Sequence, residues 1–262
     1  NVEKFFLSNF DTETTVADGH VIPASLMTGL TTVGLSASSD GGDTVFNGLK
    51  NNVDAEMRNG SGDLKLVYDG SYVVTGTADA QKLTVSALTN GTFDADGIET
   101  LTVHSELSKS TIAATVSDTL ETLNITGDQD LTISTALVFA SATDSTTKVE
   151  GYVDASAFTG KLTVDVSGSG STTDVKGGTG DDTLKFAGEL TKTDVVDGGA
   201  GTDKLTMTSA TLDEQFTGVK NIETVAFDPV SGNSGAISAM DVSKLSAGET
   251  SVELDMRDAQ DE

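Results

Sequence analysis

Two similar nine-residue segments, which begin at positions 177 and 198, restrict the fold of this chain more than any other feature. They are residues 177–185 (GGTGDDTLK) and residues 198–206 (GGAGTDKLT). Their glycines allow a tight loop with positive φ angles. The apolar residue that follows the shared aspartate, two positions later, starts a strand and points its side chain inward. A loop and a strand that recur at this interval predict stacked coils.

Both segments fit the pattern G-G-x-G-x-D-x-U-x, where U is apolar, which is typical of calcium-binding coils. Calcium takes about six to eight oxygen ligands, more than one such loop supplies, so the sequence predicts an ion between two stacked loops. Asp182 and Asp203 occupy the aspartate position and are the predicted side-chain ligands. Asp181 and Asp197 flank the loops as further candidates, for the same ion or a second one. The candidate carbonyl donors are Gly177, Thr179, Gly198, Ala200 and Gly201. The alternative is an ordinary turn between strands, because Gly and Asp dominate turns in general.

Apolar-x-apolar triplets mark the predicted strands. They occupy residues 64–66, 83–85, 101–103, 123–125, 131–133, 162–164, 184–186, 205–207 and 225–227. The triplets that begin at positions 162, 184, 205 and 225 follow one another at nearly equal intervals. Alternation indicates strands with one buried face, and the longer interval indicates one coil. The predicted fold class is therefore all-β, an elongated β-solenoid with coils of about 20 residues.

A second repeat, [I/L]-E-T-[L/V]-x-[V/I/F], occurs at residues 98–103, 120–125 and 222–227. We interpret it as the strand pattern of one type of coil, with Glu99, Glu121 and Glu223 facing solvent. The alternative is that these glutamates bind metal or bridge neighbouring coils.

Residues 134–161 interrupt the spacing and predict an insertion or an irregular coil. Short helices are predicted within residues 211–219 and 21–30. Residues 1–80 have weaker spacing, so we predict an irregular β cap or subdomain there and a calcium-binding solenoid over residues 81–262. Because the chain begins at Asn1 without methionine, we expect it to be a fragment of a longer protein.

The composition is strongly acidic. Against 15 Lys and Arg there are 41 Asp and Glu, a formal net charge of −26, which disfavours nucleic acid or an anionic membrane as a direct partner. The absence of cysteine excludes disulfides and thiolate metal sites. No stretch approaches the roughly 20 apolar residues of a transmembrane helix.

Weaker copies of the glycine–aspartate motif lie upstream. Asp40 and Asp43 belong to residues 40–45 (DGGDTV), and Asp63 belongs to residues 59–64 (NGSGDL). These aspartates are further candidate calcium ligands, with plain turns as the favoured alternative. Neither segment has a complete set of glycines.

Catalytic patterns are nearly absent. The only histidines are His20 and His104, and neither a G-x-S-x-G nor an H-E-x-x-H sequence occurs. Pairs of acidic residues carry little information in so acidic a chain. The sequence therefore predicts that this chain is not an enzyme.

Together these motifs resemble a known family. The two nonapeptides, residues 153–164 (VDASAFTGKLTV) and residues 221–225 (NIETV) resemble RTX-type surface-layer (S-layer) proteins of Gram-negative bacteria. The resemblance covers about residues 98–227, and the sparse repeats depart from the dense arrays of RTX toxins. It implies a secreted, extracellular protein of the bacterial cell surface that contains several structural Ca²⁺ ions. It also implies type I secretion, assembly of identical copies into a lattice, and anchoring to lipopolysaccharide through another part of the polypeptide.

Three functions follow from this resemblance. We expect a structural segment that binds Ca²⁺ between coils and assembles into a two-dimensional lattice. The alternatives are a calcium-dependent adhesin module of a large RTX surface protein, and the repeat region of a secreted RTX enzyme whose catalytic domain lies elsewhere.

Overall fold

The computed structural model describes residues 2–8, 20–39, 44–70, 79–140, 151–169, 172–187, 190–207, 213–227 and 253–256. The chain divides into two compact units, Asn1–Thr135 and Ala136–Glu262. Apart from the last two described strands, which both lie in the second sheet, successive strands in each unit alternate between two parallel sheets, so one coil contributes one strand to each sheet. This is the arrangement of a β-solenoid, and it confirms the predicted fold class.

The first unit has six described strands in each sheet. Its first sheet contains β1 (Lys4–Ser8), β3 (Thr32–Ser36), β5 (Asp54–Arg58), β7 (Ala80–Ser86), β9 (Thr100–Ser105) and β11 (Thr122–Gly127). Its second sheet contains β2 (His20–Pro23), β4 (Thr44–Leu49), β6 (Leu64–Tyr68), β8 (Gly91–Ala95), β10 (Ser110–Val116) and β12 (Leu131–Ile133).

The second unit has the same design with fewer described strands. Its first sheet contains β13 (Gly151–Asp154), β15 (Thr173–Lys176), β17 (Val195–Asp197) and β19 (Val219–Lys220). Its second sheet contains β14 (Leu162–Asp165), β16 (Thr183–Ala187), β18 (Lys204–Met207), β20 (Thr224–Phe227) and β21 (Glu253–Met256).

Columns of apolar side chains in strand register form the core. In the first unit Val33, Ala55, Leu83, Val103 and Ile125 are successive register partners, and all five are fully buried. In the second unit the equivalent column is Val153, Val175, Val196 and Val219, none more than 2% exposed. Each such side chain stabilises the fold by about 1.5–3 kcal/mol through burial, so the columns hold the coils in register.

All nine predicted triplets lie in strands. The pairings Leu184↔Leu205 and Leu205↔Val225 match the predicted spacing of one coil. Leu83 pairs with Val103 rather than with Leu101, which is why the step from position 83 to position 101 is shorter than the others. The sequence did not predict that each coil has two strands in different sheets, because triplets 123–125 and 131–133 gave no sign of the corner between them.

Only two short 3₁₀ helices occur among the described residues. They are Ala24–Leu26 and Asp213–Gly218, and both fall inside the segments where short helices were predicted.

The predicted boundary at residue 80 does not coincide with a division in the structure. Strands β1 to β6 join the same two sheets as β7 to β12, and Ala55 of β5 pairs directly with Leu83 of β7. The boundary between the compact units falls instead at Thr135–Ala136, near the start of the predicted irregular segment at 134–161. Of that segment, residues 141–150 lie outside the described residues.

Several corners of the first unit require left-handed backbone. Ala37, Asn59 and Ala87 each follow a strand of the first sheet directly and have φ angles of 53°, 54° and 52°. Their backbone N–H groups donate to carbonyls in the next coil, at Arg58, Ser86 and Ser108. Asparagine tolerates this conformation, whereas alanine is strained by its Cβ.

Glycine at position 87 should therefore stabilise the protein. We expect Ala87→Gly to raise the free energy of unfolding by about 0.5–1 kcal/mol, because relief of the left-handed strain exceeds the entropy cost of glycine. Ala80→Gly, at an exposed strand position, is the matched control and should destabilise. Urea unfolding of both variants measures this, and a loss of stability in Ala87→Gly would contradict the strain argument.

Candidate metal centre

The two nonapeptide loops lie in neighbouring coils of the second unit. Residues 177–182 connect β15 to β16, and residues 198–203 connect β17 to β18. The loops are joined by backbone hydrogen bonds from Ala200 N–H to the Gly178 carbonyl (2.9 Å) and from Lys204 N–H to the Asp182 carbonyl (2.8 Å). The interval between the two segments therefore stacks one motif on the other, as the sequence predicted.

Glycine is required in these loops because the coils approach each other closely. Gly199 and Gly201 have φ angles of 98° and 136°. A Cβ on Gly199 would lie 2.2 Å from the Gly178 carbonyl oxygen, and one on Gly201 would lie 2.4 Å from that of Gly180. The glycines of the pattern therefore leave the space in which one loop lies directly on the next.

Asp182 and Asp203 point into the coil stack and are each 1% exposed. Asp182 Oδ1 accepts the backbone N–H of Leu162 in the preceding coil, and Oδ2 accepts that of Gly178, both at 2.8 Å. Asp203 Oδ1 accepts the N–H of Asp182 at 2.7 Å. Each aspartate thus holds the backbone of the coil before it.

Asp182 and Asp203 lie one above the other in successive coils and form an acidic column. This column ends at Glu223, which was predicted to face solvent. The Asp203 N–H donates to Glu223 Oε2, so Glu223 takes the same position one coil later. Glu99 does the equivalent in the first unit, where its Oε2 accepts the Asp79 N–H at 2.7 Å. The expectation of solvent-facing glutamates was therefore wrong for Glu99 and Glu223, which bridge coils as in the alternative, whereas Glu121 is exposed as predicted. The motif Ile-Glu-Thr is the signal that could have identified them.

One oxygen of this column is buried without a hydrogen-bond partner among the described residues. It is Asp203 Oδ2. A Cβ on Gly198 would lie 2.6 Å from this oxygen and 1.8 Å from the Asn221 carbonyl oxygen. One coil earlier, a Cβ on Gly177 would lie 2.7 Å from Asp182 Oδ2 and 2.0 Å from the Gly198 carbonyl oxygen. A carboxylate and a carbonyl oxygen therefore converge beside each first glycine, a donor set that suits a hard cation.

The environment of Asp203 disfavours its charge. Burial, with repulsion from Asp182, Glu223 and Asp181, raises its pKa from 3.8 to about 7, and the hydrogen bond from the Asp182 backbone only partly opposes this rise. Burial also raises the pKa of Asp182. The site therefore favours either a proton or a cation at Asp203.

The other predicted ligands have different surroundings. Asp181 is exposed and accepts the Thr202 N–H at 2.8 Å. Asp197 faces outward, where its carboxylate contacts Lys220 Nζ at 2.9 Å and Asn221 Nδ2 at 2.6 Å. Of the predicted carbonyl donors, Gly198 faces the Asp182 carboxylate, and the sequence missed the carbonyl of Asn221. Gly177, Thr179, Ala200 and Gly201 belong to the same two loops.

The weaker upstream motif has a bridging aspartate. Asp63 directly precedes β6, as Asp182 precedes β16, and its Oδ1 accepts the Thr92 N–H at 2.6 Å. Asp40 and Asp43 lie outside the described residues.

A third buried aspartate, Asp194, was not predicted. It is 2% exposed, and its Oδ1 accepts the Thr173 N–H at 2.7 Å. Burial raises its pKa. No motif distinguishes it in a chain rich in Thr and Asp, so it could not be predicted from the sequence.

Within the described ranges, no group of three or more His, Cys, Asp or Glu side chains is arranged to hold a metal ion. A metal at the column would therefore depend on carbonyl oxygens for most of its ligands. Comparisons of the chain with protein-family models, curated proteins and solved structures return no match. None of the helices in the described part of the chain has the length and apolar character needed to cross a membrane.

Asp203 should make the metal-free protein less stable as pH rises. Between about pH 4 and 7 the folded chain retains a proton at Asp203 that the unfolded chain has released, so stability falls through this window. Asn at this position does not titrate and still accepts the Asp182 N–H. We expect Asp203→Asn, in EDTA at pH 8, to be more stable than the unmodified chain by on the order of 1–2 kcal/mol, with the difference vanishing near pH 4.

Urea unfolding between pH 4 and 8 tests this expectation. Asp181→Asn, an exposed change in the neighbouring loop with the same loss of charge, is the control. It retains Asp203, so its stability should fall with pH as that of the unmodified chain does. If Asp203→Asn is less stable than the unmodified chain at pH 8, the ionised Asp203 carboxylate stabilises the fold, and the expectation is wrong.

The space beside Gly198 should not accept a side chain. Gly198→Ala puts a methyl group between Asp203 Oδ2 and the Asn221 carbonyl, and the resulting overpacking should cost about 1–3 kcal/mol. Thr202→Ala, in the exposed part of the same loop, should change stability by less than about 0.5 kcal/mol. Thermal unfolding compares the two, and equal effects would contradict the close approach of the coils.

Proposed function

We propose that this chain is a structural segment of a secreted bacterial surface-layer protein, which binds Ca²⁺ between its coils and assembles into a two-dimensional lattice on the cell surface. The observation that carries the proposal is the buried, unpartnered Oδ2 of Asp203 beside the Asn221 carbonyl oxygen. A buried carboxylate oxygen without a hydrogen-bond partner is costly, and a bound cation would remove that cost.

The carboxylates of Asp182 and Asp203, with the carbonyls of Gly198 and Asn221, are the groups that would hold the ion. Bound Ca²⁺ supplies positive charge that neutralises the buried carboxylates and links successive loops. The chain itself contributes the stacked loops, the space left by glycine and the backbone amides that orient both aspartates. Part of the net charge of −26 is thereby compensated in the folded state alone.

The proposal gives the chain no catalytic role and several Ca²⁺ ions as its only cofactor. Its partners are identical copies, and lipopolysaccharide binds through another part of the polypeptide. The resemblance to RTX surface-layer proteins supports the lattice, the extracellular location and type I secretion.

Calcium should stabilise the folded chain selectively. At a free concentration of about one hundred times Kd, a single site adds about 2.7 kcal/mol, which a melting curve detects as a clear rise in Tm. Mg²⁺ at the same concentration should have a much smaller effect, because it requires a tighter octahedral shell. An unchanged Tm and circular-dichroism spectrum on going from Ca²⁺ to EDTA would refute structural calcium.

Matched variants locate the ions. Asp182→Asn with Asp203→Asn should abolish the calcium-dependent rise in Tm. Asp54→Asn with Asp96→Asn, two exposed sites, removes the same charge and should leave the rise intact.

Electron microscopy with calcium then tests the assembly: ordered sheets that dissolve in EDTA support the lattice. Specific glycan or cell binding without sheets would indicate the adhesin, and hydrolytic activity of the full-length protein would indicate the enzyme.

A further inference from the structure

The outer face of the first sheet in the second unit bears a row of alternating charges. Asp154 pairs in register with Lys176, Lys176 with Asp197, and Asp197 with Lys220. These residues, here called the charged row, are the last residues of β13, β15, β17 and β19. Adjacent strands are about 4.8 Å apart, so the row presents one charge of alternating sign at each step.

The row is only partly neutralised within the chain. Lys220 Nζ lies 2.9 Å from Asp197 Oδ2, yet the lysine side chain remains 52% exposed. Lys176 Nζ donates to the hydroxyl of Tyr152 at 2.5 Å. Ammonium groups have three donors and carboxylates about four acceptor positions, so the row retains capacity for further charged partners.

An alternating row of four is complementary to its own reverse. If a second copy is placed face to face about a two-fold axis between Lys176 and Asp197, Asp154 opposes the other copy's Lys220, and Lys176 opposes the other copy's Asp197. All four contacts join opposite charges. A uniformly charged partner, such as nucleic acid or an anionic surface, would instead meet repulsion at every second position.

We propose that the charged row is an isologous contact through which two copies of this chain associate. Val195, 36% exposed on the same face, supplies an apolar contact beside the row. The inference rests on the self-assembly proposed above and names one of its surfaces. Self-complementarity is the defining property of a two-fold interface, and among the described residues no other register row of the second unit alternates in this way.

The contact between Asp154 and Lys220 gives a sharp test. Within one chain these residues are three strands apart, about 14 Å, but between copies they face each other. Lys220→Glu and Asp154→Lys should each raise the dimer Kd at least tenfold, because each places like charges together at both symmetric positions. The double variant Asp154→Lys with Lys220→Glu should return Kd to within about threefold of the unmodified chain.

The double variant separates association from effects inside one chain. It puts two bases side by side on β13 and β15 and two acids on β17 and β19, so a purely intrachain effect would worsen instead of recovering. Sedimentation equilibrium in calcium measures Kd, and thermal melts confirm that each variant is folded. Lys185→Glu, on the second sheet of the same unit, is the charge-matched control and should leave Kd unchanged.

The outcomes distinguish this inference from the proposed function. If the unmodified chain assembles and the single variants assemble equally well, the charged row is not the contact, although self-assembly stands. If the single variants lose association and the double variant fails to recover it, the two-fold arrangement is overturned. If the unmodified chain remains monomeric in calcium at all concentrations, both the contact and the lattice are refuted.

Discussion

The stacked loops of the second unit depend on the pairing of a buried carboxylate with the backbone amide of the preceding coil. At a corner the chain leaves the sheet, so an amide there loses its strand partner and needs another acceptor. Asp182, Asp203 and Glu223 supply it at three successive coils. The same solution that satisfies the backbone places acidic groups along one line, where burial and mutual repulsion favour either a proton or a cation at Asp203.

Charge is arranged differently inside and outside the coil. The buried column is uniformly acidic, and its members raise the pKa of Asp203 beyond the effect of its burial. On the outer face acids alternate with lysines in register, and Lys220 with Asn221 lowers the pKa of Asp197, against the opposing effect of its burial. The inner column therefore favours a proton or a small cation, whereas the outer row suits a surface of matching pattern.

Much of the fold could be predicted from the sequence because register and burial follow from simple alternation. The triplets identified nine strands, and the interval between the nonapeptides placed Leu184 opposite Leu205. The two-sheet cross-section could not be predicted, because the corners are set by single residues such as Ala87, whose φ angle of 52° is unusual for alanine. The glycine pattern likewise identified Asp203 but not the Asn221 carbonyl, because every residue type has a backbone carbonyl and the sequence does not indicate which one is used.

Unequal coil lengths have a consequence for how such a chain can change. Many register steps resemble that from Val153 to Val175, yet Ala55 pairs with Leu83 and Leu64 with Phe93, which are clearly longer steps along the chain. Extra residues within these steps leave the strand pairing before and after them intact, because each coil is aligned only by its neighbours. A solenoid of this kind can therefore acquire new surface loops by insertion, one corner at a time, without any change to its core. Evolution and protein engineering can both use this freedom to add binding functions to a solenoid.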